Sequence, residues 1–341
     1  MKEKLLTVII PTYNMEKLLR RCLDSLLVSE ENMQRLEVLV VNDGSKDASS
    51  AIGHEYASRY PQTFCVIDKE NGHYGSCINR GLKVMTGRYV RILDADDYYQ
   101  TDHLDSFMTL LKDVDSDLVL TDMISVYADG RQIRLSANPD DLTNKAEMHM
   151  MTYRRDVLDK VDYQQTEGIS YTDQEWIFYP MTGVNSIKYI PLDIYVYMLD
   201  RQGQSMDLEV EVKKVGDKMI IARRMIDYVK AVEFEDSSKA HYIKHRLLRF
   251  LRLIYKLVLL YQTDEQYRSH LSELEALDTK VKTDLPGLYE TMNDVVISSE
   301  IPLKFVKRWR ERHRRYPHVV LFLHKQLKCI DVFLRKIHLR S

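Results

Sequence analysis

Through the first third of the chain, short apolar runs rich in Val, Ile and Leu alternate with stretches whose apolar residues return every three or four positions. The runs at 5–10, 36–41, 64–67 and 89–93 read as strands, because β-branched and large apolar side chains suit a pleated, half-buried surface. Between them, 15–27, 49–60 and 76–85 read as helices. In the first of these, Leu18, Leu19, Cys22, Leu23, Leu26 and Leu27 fall on one face at helical spacing. A helix over 102–111 and a strand over 118–121 complete this part. Strands alternating with helices predict a mostly parallel sheet covered on both faces. After 122 the pattern changes: runs at 124–127 and 132–135 flank Ala128-Asp129-Gly130-Arg131, a hairpin signature. The stretch 173–181 reads as a helix, and 186–190 and 194–199 as strands. Beyond about 208 only helical patterns remain. In 245–261, Arg246, Arg249, Arg252 and Lys256 share one face while Leu, Ile and Val fill the other, and Pro286-Gly287 predicts a break.

Length and charge refine this picture. A chain of 341 residues accommodates one large domain and a smaller one. The expected division is a domain over 1–206, in halves 1–122 and 123–206, followed by a helical region over 207–341. The net charge of -2 conceals an asymmetry, since residues 301–341 carry 12 Lys/Arg against 2 Asp/Glu. Phe305, Trp309, Leu321, Phe322, Leu323, Phe333 and Leu334 interleave those bases. Such a segment suits an anionic membrane surface, and it suits equally well a return onto the acid-rich body of the chain. Nucleic-acid binding, the third reading of such charge, is set aside. Cys22, Cys65, Cys77 and Cys329 show no CxxC spacing and read as reduced thiols. The apolar run near the N-terminus is too short for a signal-peptide core, and no run reaches the roughly 18 apolar residues of a spanning helix. The expectation is a cytoplasmic protein, at most peripheral at the inner face of the cell membrane.

The chemistry concentrates where strands should end. The run 89–93 stops at Asp94-Ala95-Asp96-Asp97-Tyr98, three carboxylates within four positions. Like charges crowded this closely repel unless something positive sits among them. Hard oxygen ligands of this kind suit Mg²⁺ or Mn²⁺ together with substrate phosphates; the alternative is a solvated acidic turn. Three other polar segments follow strands: Pro11-Thr12-Tyr13-Asn14, Asn42-Asp43-Gly44-Ser45-Lys46-Asp47, and Asp68-Lys69-Glu70-Asn71-Gly72-His73-Tyr74-Gly75. Each alone is a plausible turn or helix cap. Parallel strands would bring all four to one edge of the sheet, where α/β proteins bind ligands.

In their order and spacing, Val8-Ile9-Ile10-Pro11-Thr12-Tyr13-Asn14, Val40-Val41-Asn42-Asp43-Gly44-Ser45 and Leu93-Asp94-Ala95-Asp96-Asp97 resemble glycosyltransferase family 2 over roughly residues 5–205. The resemblance implies a GT-A fold, that is, an α/β, Rossmann-like, mostly parallel sheet of the nucleotide-diphospho-sugar transferases, here with a C-terminal all-helical extension. It also implies a UDP-sugar donor, a divalent metal (Mn²⁺ or Mg²⁺), inversion at the anomeric carbon, and a glycan or lipid-linked acceptor. On the donor side it points to Pro11, Thr12, Tyr13, Asn14, Asp43, Lys69, Asn79, Asp94, Ala95 and Asp96. Among these, Asp43 is placed to accept from a uracil ring N–H, Asp94 and Asp96 match the DxD motif that holds the metal, and Asp97 supports the loop. Two positions depart from the family pattern: Asn42 stands where an Asp is common, and Ile78 where many relatives carry an Arg before the Asn. Lys69 or Arg80 is the available substitute for that cation.

Displacement at a sugar carbon needs a general base for the acceptor hydroxyl. In Tyr171-Thr172-Asp173-Gln174-Glu175-Trp176, the resemblance favours Asp173, with Glu175 as runner-up; the alternative is that Asp173 or Thr172 caps a helix. Trp176 reads either as core or as the floor of the sugar site. Arg201 and Gln204, in Arg201-Gln202-Gly203-Gln204-Ser205-Met206, read as a lid over the donor or as an exposed linker. The competing function is a non-catalytic nucleotide-sugar-binding or scaffold protein of the same fold. A Rossmann dehydrogenase is excluded because Pro11 stands where GxGxxG should follow the first strand.

Overall fold

The computed structural model of the chain describes residues 3–137, 139, 147–199, 207–232, 237–299, 301–316 and 320. It comprises two compact units, Met1–Gln202 and Gly203–Ser341. The first unit runs β1 (Leu6–Thr12), α1 (Leu19–Asp24), α2 (Glu30–Met33), β2 (Leu36–Asn42), α3 (Ser49–Arg59), β3 (Phe64–Asp68), α4 (His73–Val84), β4 (Tyr89–Ile92), β5 (Tyr98–Tyr99), α5 (Thr101–Leu111), β6 (Leu118–Val126), β7 (Gln132–Leu135), β8 (Met151–Arg154), α6 (Arg155–Lys160), α7 (Asp173–Trp176) and β9 (Ile187–Met198).

One sheet joins the strands in the order β3-β2-β1-β4-β8-β6-β9-β5, with β7 also paired to β6. The strands β3, β2, β1 and β4 are mutually parallel, as the alternating pattern predicted. Leu6, Val8, Ile9 and Ile10 of the central β1 are fully buried, as expected where helices cover both faces of a sheet. Between β4 and β6 lies β8, antiparallel to both. The sequence reading missed this strand: Met151-Thr152-Tyr153-Arg154 is too short to show alternation, and its burial comes from its neighbours.

Other differences have local causes. The helix expected over 15–27 is confined to Leu19–Asp24, where Ser25 Oγ donates to Cys22 O (2.6 Å) and accepts from Tyr99 N (3.0 Å), turning the chain toward β5. The helix expected over 173–181 stops at Trp176, with a separate short 3₁₀ turn over Pro180–Thr182. Pro180 has no N–H to give the Trp176 carbonyl, which accepts instead from Tyr153 OH (3.1 Å). The strands expected over 186–190 and 194–199 are one strand, β9. It slips register against β6 around Pro191, which has no N–H to give the ladder.

The second unit is helical in its described residues: α8 (Leu208–Lys213), α9 (Val215–Ala231), α10 (Ser237–Lys256), α11 (Asp264–Asp284), α12 (Pro286–Met292) and α13 (Phe305–Arg312). Helix α10 runs into a π-helical turn, Leu257–Tyr261, and Thr263 opens α11 with a capping box shared with Gln266. For 301–316 the structure supports packing on the acidic body over a free basic face. Phe305, Val306 and Trp309 are buried, Arg310 Nη2 binds Asp278 Oδ1 (2.6 Å), Lys304 binds Asp294, and Arg315 binds Asp264. Residues 321–341 lie outside the described residues. Among the described residues no helix is long and apolar enough to cross a membrane.

Candidate active site

The parallel register of β1 to β4 brings their carboxyl ends to one edge, and the four polar segments meet there. Strand β1 continues through Pro11 and Thr12, and the Thr12 side chain is buried with its Oγ1 donating to Ile10 O (3.2 Å). Tyr13 stands out 46% exposed. Asn14 takes a left-handed backbone (φ 55°); its N–H donates to Ser45 Oγ (3.0 Å) and its Oδ1 accepts from Lys46 N (2.8 Å). Asn14 thus fastens the first loop to the second. An open cavity of about 570 Å³ lies here, lined by Tyr13, Asn42, Gly44, Lys46 and Asn71 among others.

Asp43 is buried, and its Oδ1 accepts from Lys69 Nζ (2.6 Å) and Gly72 N (2.9 Å). The Lys69 ammonium also donates to Glu70 O (2.6 Å) and Ser76 Oγ (2.8 Å). Lys69 therefore holds Asp43 in place at the edge where it and Arg80 were the two candidates for the missing cation. Ile78 is fully buried, so the position of the missing Arg faces the core in this chain, and Arg80 is exposed. Asn79 shapes the neighbouring loop: its Nδ2 donates to Gln165 O (2.9 Å) and Glu167 Oε1 (2.8 Å), and its Oδ1 accepts from Gln165 N (2.9 Å). At Gly75 a methyl group would run into the backbone carbonyl of Thr166. Gly75→Ala is therefore expected to destabilise the fold by about 1–3 kcal/mol or more, because the obstacle is backbone that cannot rotate away. Thermal unfolding checks this; an unchanged melting temperature would contradict it.

After β4 the chain turns tightly, with Asp97 N donating to Asp94 O (3.0 Å). A turn closed from i to i+3 sets its first and last residues side by side. Asp94 Oδ1 accepts from Tyr74 OH (2.8 Å), and its Oδ2 lies 3.2 Å from His149 Nε2. The buried Asp97 accepts from Tyr195 OH (2.7 Å) and Met198 N (2.9 Å), which ties the turn to β9 and agrees with the supporting role expected for it. Ala95 is buried, and Asp96 is held through its backbone carbonyl by Arg21 Nη2 (2.8 Å). Single ligand atoms of Asp94, Asp97 and His149 all lie within 4.8 Å of one another. Sequence reasoning placed the metal on Asp94 and Asp96 and did not foresee His149.

The electrostatics follow from crowding. Burial and the charges of Asp96 and Asp94 push the Asp97 carboxyl up to about 7. Burial works against a charged His149, yet the hydrogen bond and charge of Asp94, with Asp97 and Glu147, carry its pKa above the ordinary value. Beneath the cluster, the fully buried Arg91 donates from Nη2 to His149 O (2.7 Å) and from Nη1 to Thr121 Oγ1 (3.1 Å), fixing the His149 backbone. Two carboxylates and an imidazole converging in an excess of negative charge fit a hard divalent cation such as Mg²⁺ or Mn²⁺.

On the acceptor side, Tyr171 adopts φ 66°, an uncommon backbone for a bulky residue, immediately before Thr172 and Asp173. Asp173 is half-buried, with Gln174 Nε2 donating to its Oδ2 (2.7 Å). Its charge reaches the same two tyrosine hydroxyls as that of Asp94. The Tyr74 and Tyr197 hydroxyls are raised first by burial and then by the charges around them, which for both include Asp94 and Asp173. Helix α7 also packs on the 3₁₀ turn Met148–Met150 that carries His149. The contacts of two neighbours of Asp173 decide between the readings offered for them. Glu175 is fully buried and accepts from Thr166 N (2.6 Å) and Thr166 Oγ1 (2.7 Å), so it anchors a loop. Trp176 is fully buried against Tyr153 and Tyr163 and belongs to the core, not to the floor of a sugar site. Arg201 and Gln204 lie outside the described residues.

Parallel strands β1 to β4 ending in polar loops and an acidic turn fit the GT-A fold. The fold is shared with TarS from S. aureus in complex with UDP-GlcNAc, at a TM-score of 0.63 and 20% identity, covering 92% of this chain and 93% of that one. The chain belongs to glycosyl transferase family 2, whose model its residues 7–177 match. Among curated relatives, glycosyltransferase GlyA of Streptococcus pneumoniae is 36% identical over 115 residues, 34% of this chain and 16% of GlyA. The minor teichoic acid biosynthesis protein GgaB of Bacillus subtilis is 30% identical over 125 residues, 37% of this chain and 14% of GgaB. The matches thus span well under a quarter of the length of both relatives.

Proposed function

We propose that the chain is an inverting transferase that moves a hexose or N-acetylhexosamine from a UDP-sugar to a glycan or lipid-linked acceptor in cell-surface glycan synthesis. The observation that carries this reading is the convergence of Asp94, Asp97 and His149 at the sheet edge that also carries the Tyr13 and Asp43 loops, with Asp173 on a helix packed against the turn of His149. TarS, of the same fold, binds UDP-GlcNAc, and GgaB acts in teichoic acid biosynthesis; both support the donor and the pathway class.

In this mechanism the uracil and ribose sit against the Tyr13–Asn14 and Asp43–Lys46 loops, and Asp43, fixed by Lys69, accepts from the uracil N–H. The Asp94–Ala95–Asp96–Asp97 turn and His149 would hold Mn²⁺ or Mg²⁺. When bound, such an ion supplies counter-charge to the diphosphate. Asp173 accepts the proton of the acceptor hydroxyl as that oxygen forms its bond to the anomeric carbon from the face opposite the departing UDP. The C–O bond to UDP breaks, the electron pair leaves with the diphosphate, and the configuration at carbon inverts.

The test is release of UDP from UDP-GlcNAc and UDP-glucose by the full chain, with Mn²⁺, with Mg²⁺ and with chelator. Metal-dependent release that chelator abolishes is expected. Absence of release from every UDP-sugar, with or without an acceptor glycan, would favour the non-catalytic scaffold instead.

A further inference from the structure

The helical unit holds a second cavity, of about 570 Å³, between α10 and the junction of α11 with α12. Its two sides differ in chemistry. Along α10, His241, Lys244 and His245 stand at i, i+3 and i+4 and share one face. Leu248, Leu285 and Leu288 supply apolar lining beside them. The one carboxylate of the lining, Asp284, is already matched: Lys230 Nζ binds its Oδ1 (2.6 Å) and Lys280 Nζ its Oδ2 (2.9 Å).

The basic side therefore lacks a counter-anion within the cavity. His245 lies half-buried on this side. Its Nδ1 is buried with no hydrogen-bond partner among the described residues, and a buried polar atom left without a partner is costly. Burial, and then the positive charges of Arg249, His241, Arg246 and Arg252, lower its pKa. The rings of His241 and His245 stack with centroids 6.0 Å apart, a spacing seen in two-histidine metal sites, but the surrounding ammonium and guanidinium groups repel a cation.

The geometry points to a binding site for a phosphate monoester carried on an apolar chain. Lys244, His241 and His245 receive the phosphate, whose multiple acceptor oxygens and near-double charge suit several clustered donors. Leu248, Leu285 and Leu288 cover the first carbons of the chain. The inference uses no residue of the donor or acceptor site and stands independently of the function proposed above.

The same phosphate chemistry occurs on a lipid headgroup and as a free anion, and binding to the full chain separates the two. Calorimetric titrations would use dodecyl phosphate below its micellar concentration, inorganic phosphate and the uncharged dodecyl maltoside. Saturable binding of dodecyl phosphate is expected, at least about tenfold tighter than either comparison ligand, and weakened about tenfold or more by Lys244→Glu. Lys244 is exposed, so that variant should keep its melting temperature; His241→Gln, also exposed, is the second variant and should weaken binding in the same direction. No saturable binding would overturn the proposal. So would equal affinity for dodecyl maltoside, which removes the anion, or for inorganic phosphate, which removes the chain. Binding unchanged in both variants would place the ligand elsewhere, for instance on the basic C-terminal segment, and would equally overturn it.

Discussion

Asp173→Asn should abolish most sugar transfer while leaving the donor bound. General-base catalysis contributes about 10²–10⁴-fold, so kcat should fall by that factor. This corresponds to about 3–5 kcal/mol of transition-state stabilisation. The amide keeps the shape and the contact with Gln174 but takes up no proton at neutral pH. The half-buried Asp173 opens α7, four residues long, and no side-chain cap bond is formed there, so the substitution should cost little stability. The expected signature is thus a lowered kcat with UDP affinity and melting temperature close to those of the parent. Undiminished transfer would remove Asp173 from the mechanism. A fall in both kcat and melting temperature would reassign it as a structural residue.

The second large effect is expected from Asp94→Asn. Asp94 sits between Tyr74 OH and His149 Nε2 and is one of the three clustered ligand residues. The substitution leaves a neutral carbonyl oxygen in place of the carboxylate, which weakens the ligand, and removes the anion that favours a charged His149. Metal-assisted charge stabilisation is worth several kcal/mol, so activity at fixed Mn²⁺ should fall by at least about 10²-fold. Excess Mn²⁺ should recover part of it. His149→Gln should weaken Mn²⁺ affinity in the same direction, read directly by titrating the ion against bound UDP. If His149→Gln leaves Mn²⁺ affinity unchanged, the imidazole is only a charge partner of Asp94, and the ion is held by the acidic turn alone.

How far this site could be read beforehand depends on the range of the interaction. The strands Leu6–Thr12, Leu36–Asn42, Phe64–Asp68 and Tyr89–Ile92 announce themselves through dense apolar runs, and parallel alternation alone puts their polar ends together. Asp43 and the acidic turn could be placed at one edge for that reason, whereas Asp173 was singled out by the family resemblance. His149 was not legible. It arrives through a non-local antiparallel pairing: β4 and β8 align Tyr89 with Arg154 and Val90 with Tyr153, and the same register, continued, sets Asp94 opposite His149. Only a reader who had already paired Met151–Arg154 with β4 could have found it. The choice between alternatives at Glu175 and Trp176 was hidden for a related reason. Acidic and aromatic residues next to a candidate base look like site residues, but Trp176 is enclosed by Tyr153 and Tyr163, and Glu175 by Thr166, all distant enough in sequence to be invisible in a local pattern. Lys69 shows the converse: its chemistry was evident, and its three partners Asp43, Glu70 and Ser76 reassign its use.

The central claim, a metal-assisted site for UDP-sugars, is tested most directly by thermal unfolding of the full chain against a panel of nucleotides. UDP, UDP-GlcNAc, UDP-glucose, GDP and NAD would each be compared with and without Mn²⁺. A ligand that binds only the folded state stabilises it in proportion to the logarithm of its concentration over Kd, so even weak donors register. The account predicts a rise in melting temperature with UDP and at least one UDP-sugar that is larger in Mn²⁺ and is absent for GDP and NAD. No shift with any uridine nucleotide, or an equal shift with GDP, would contradict it.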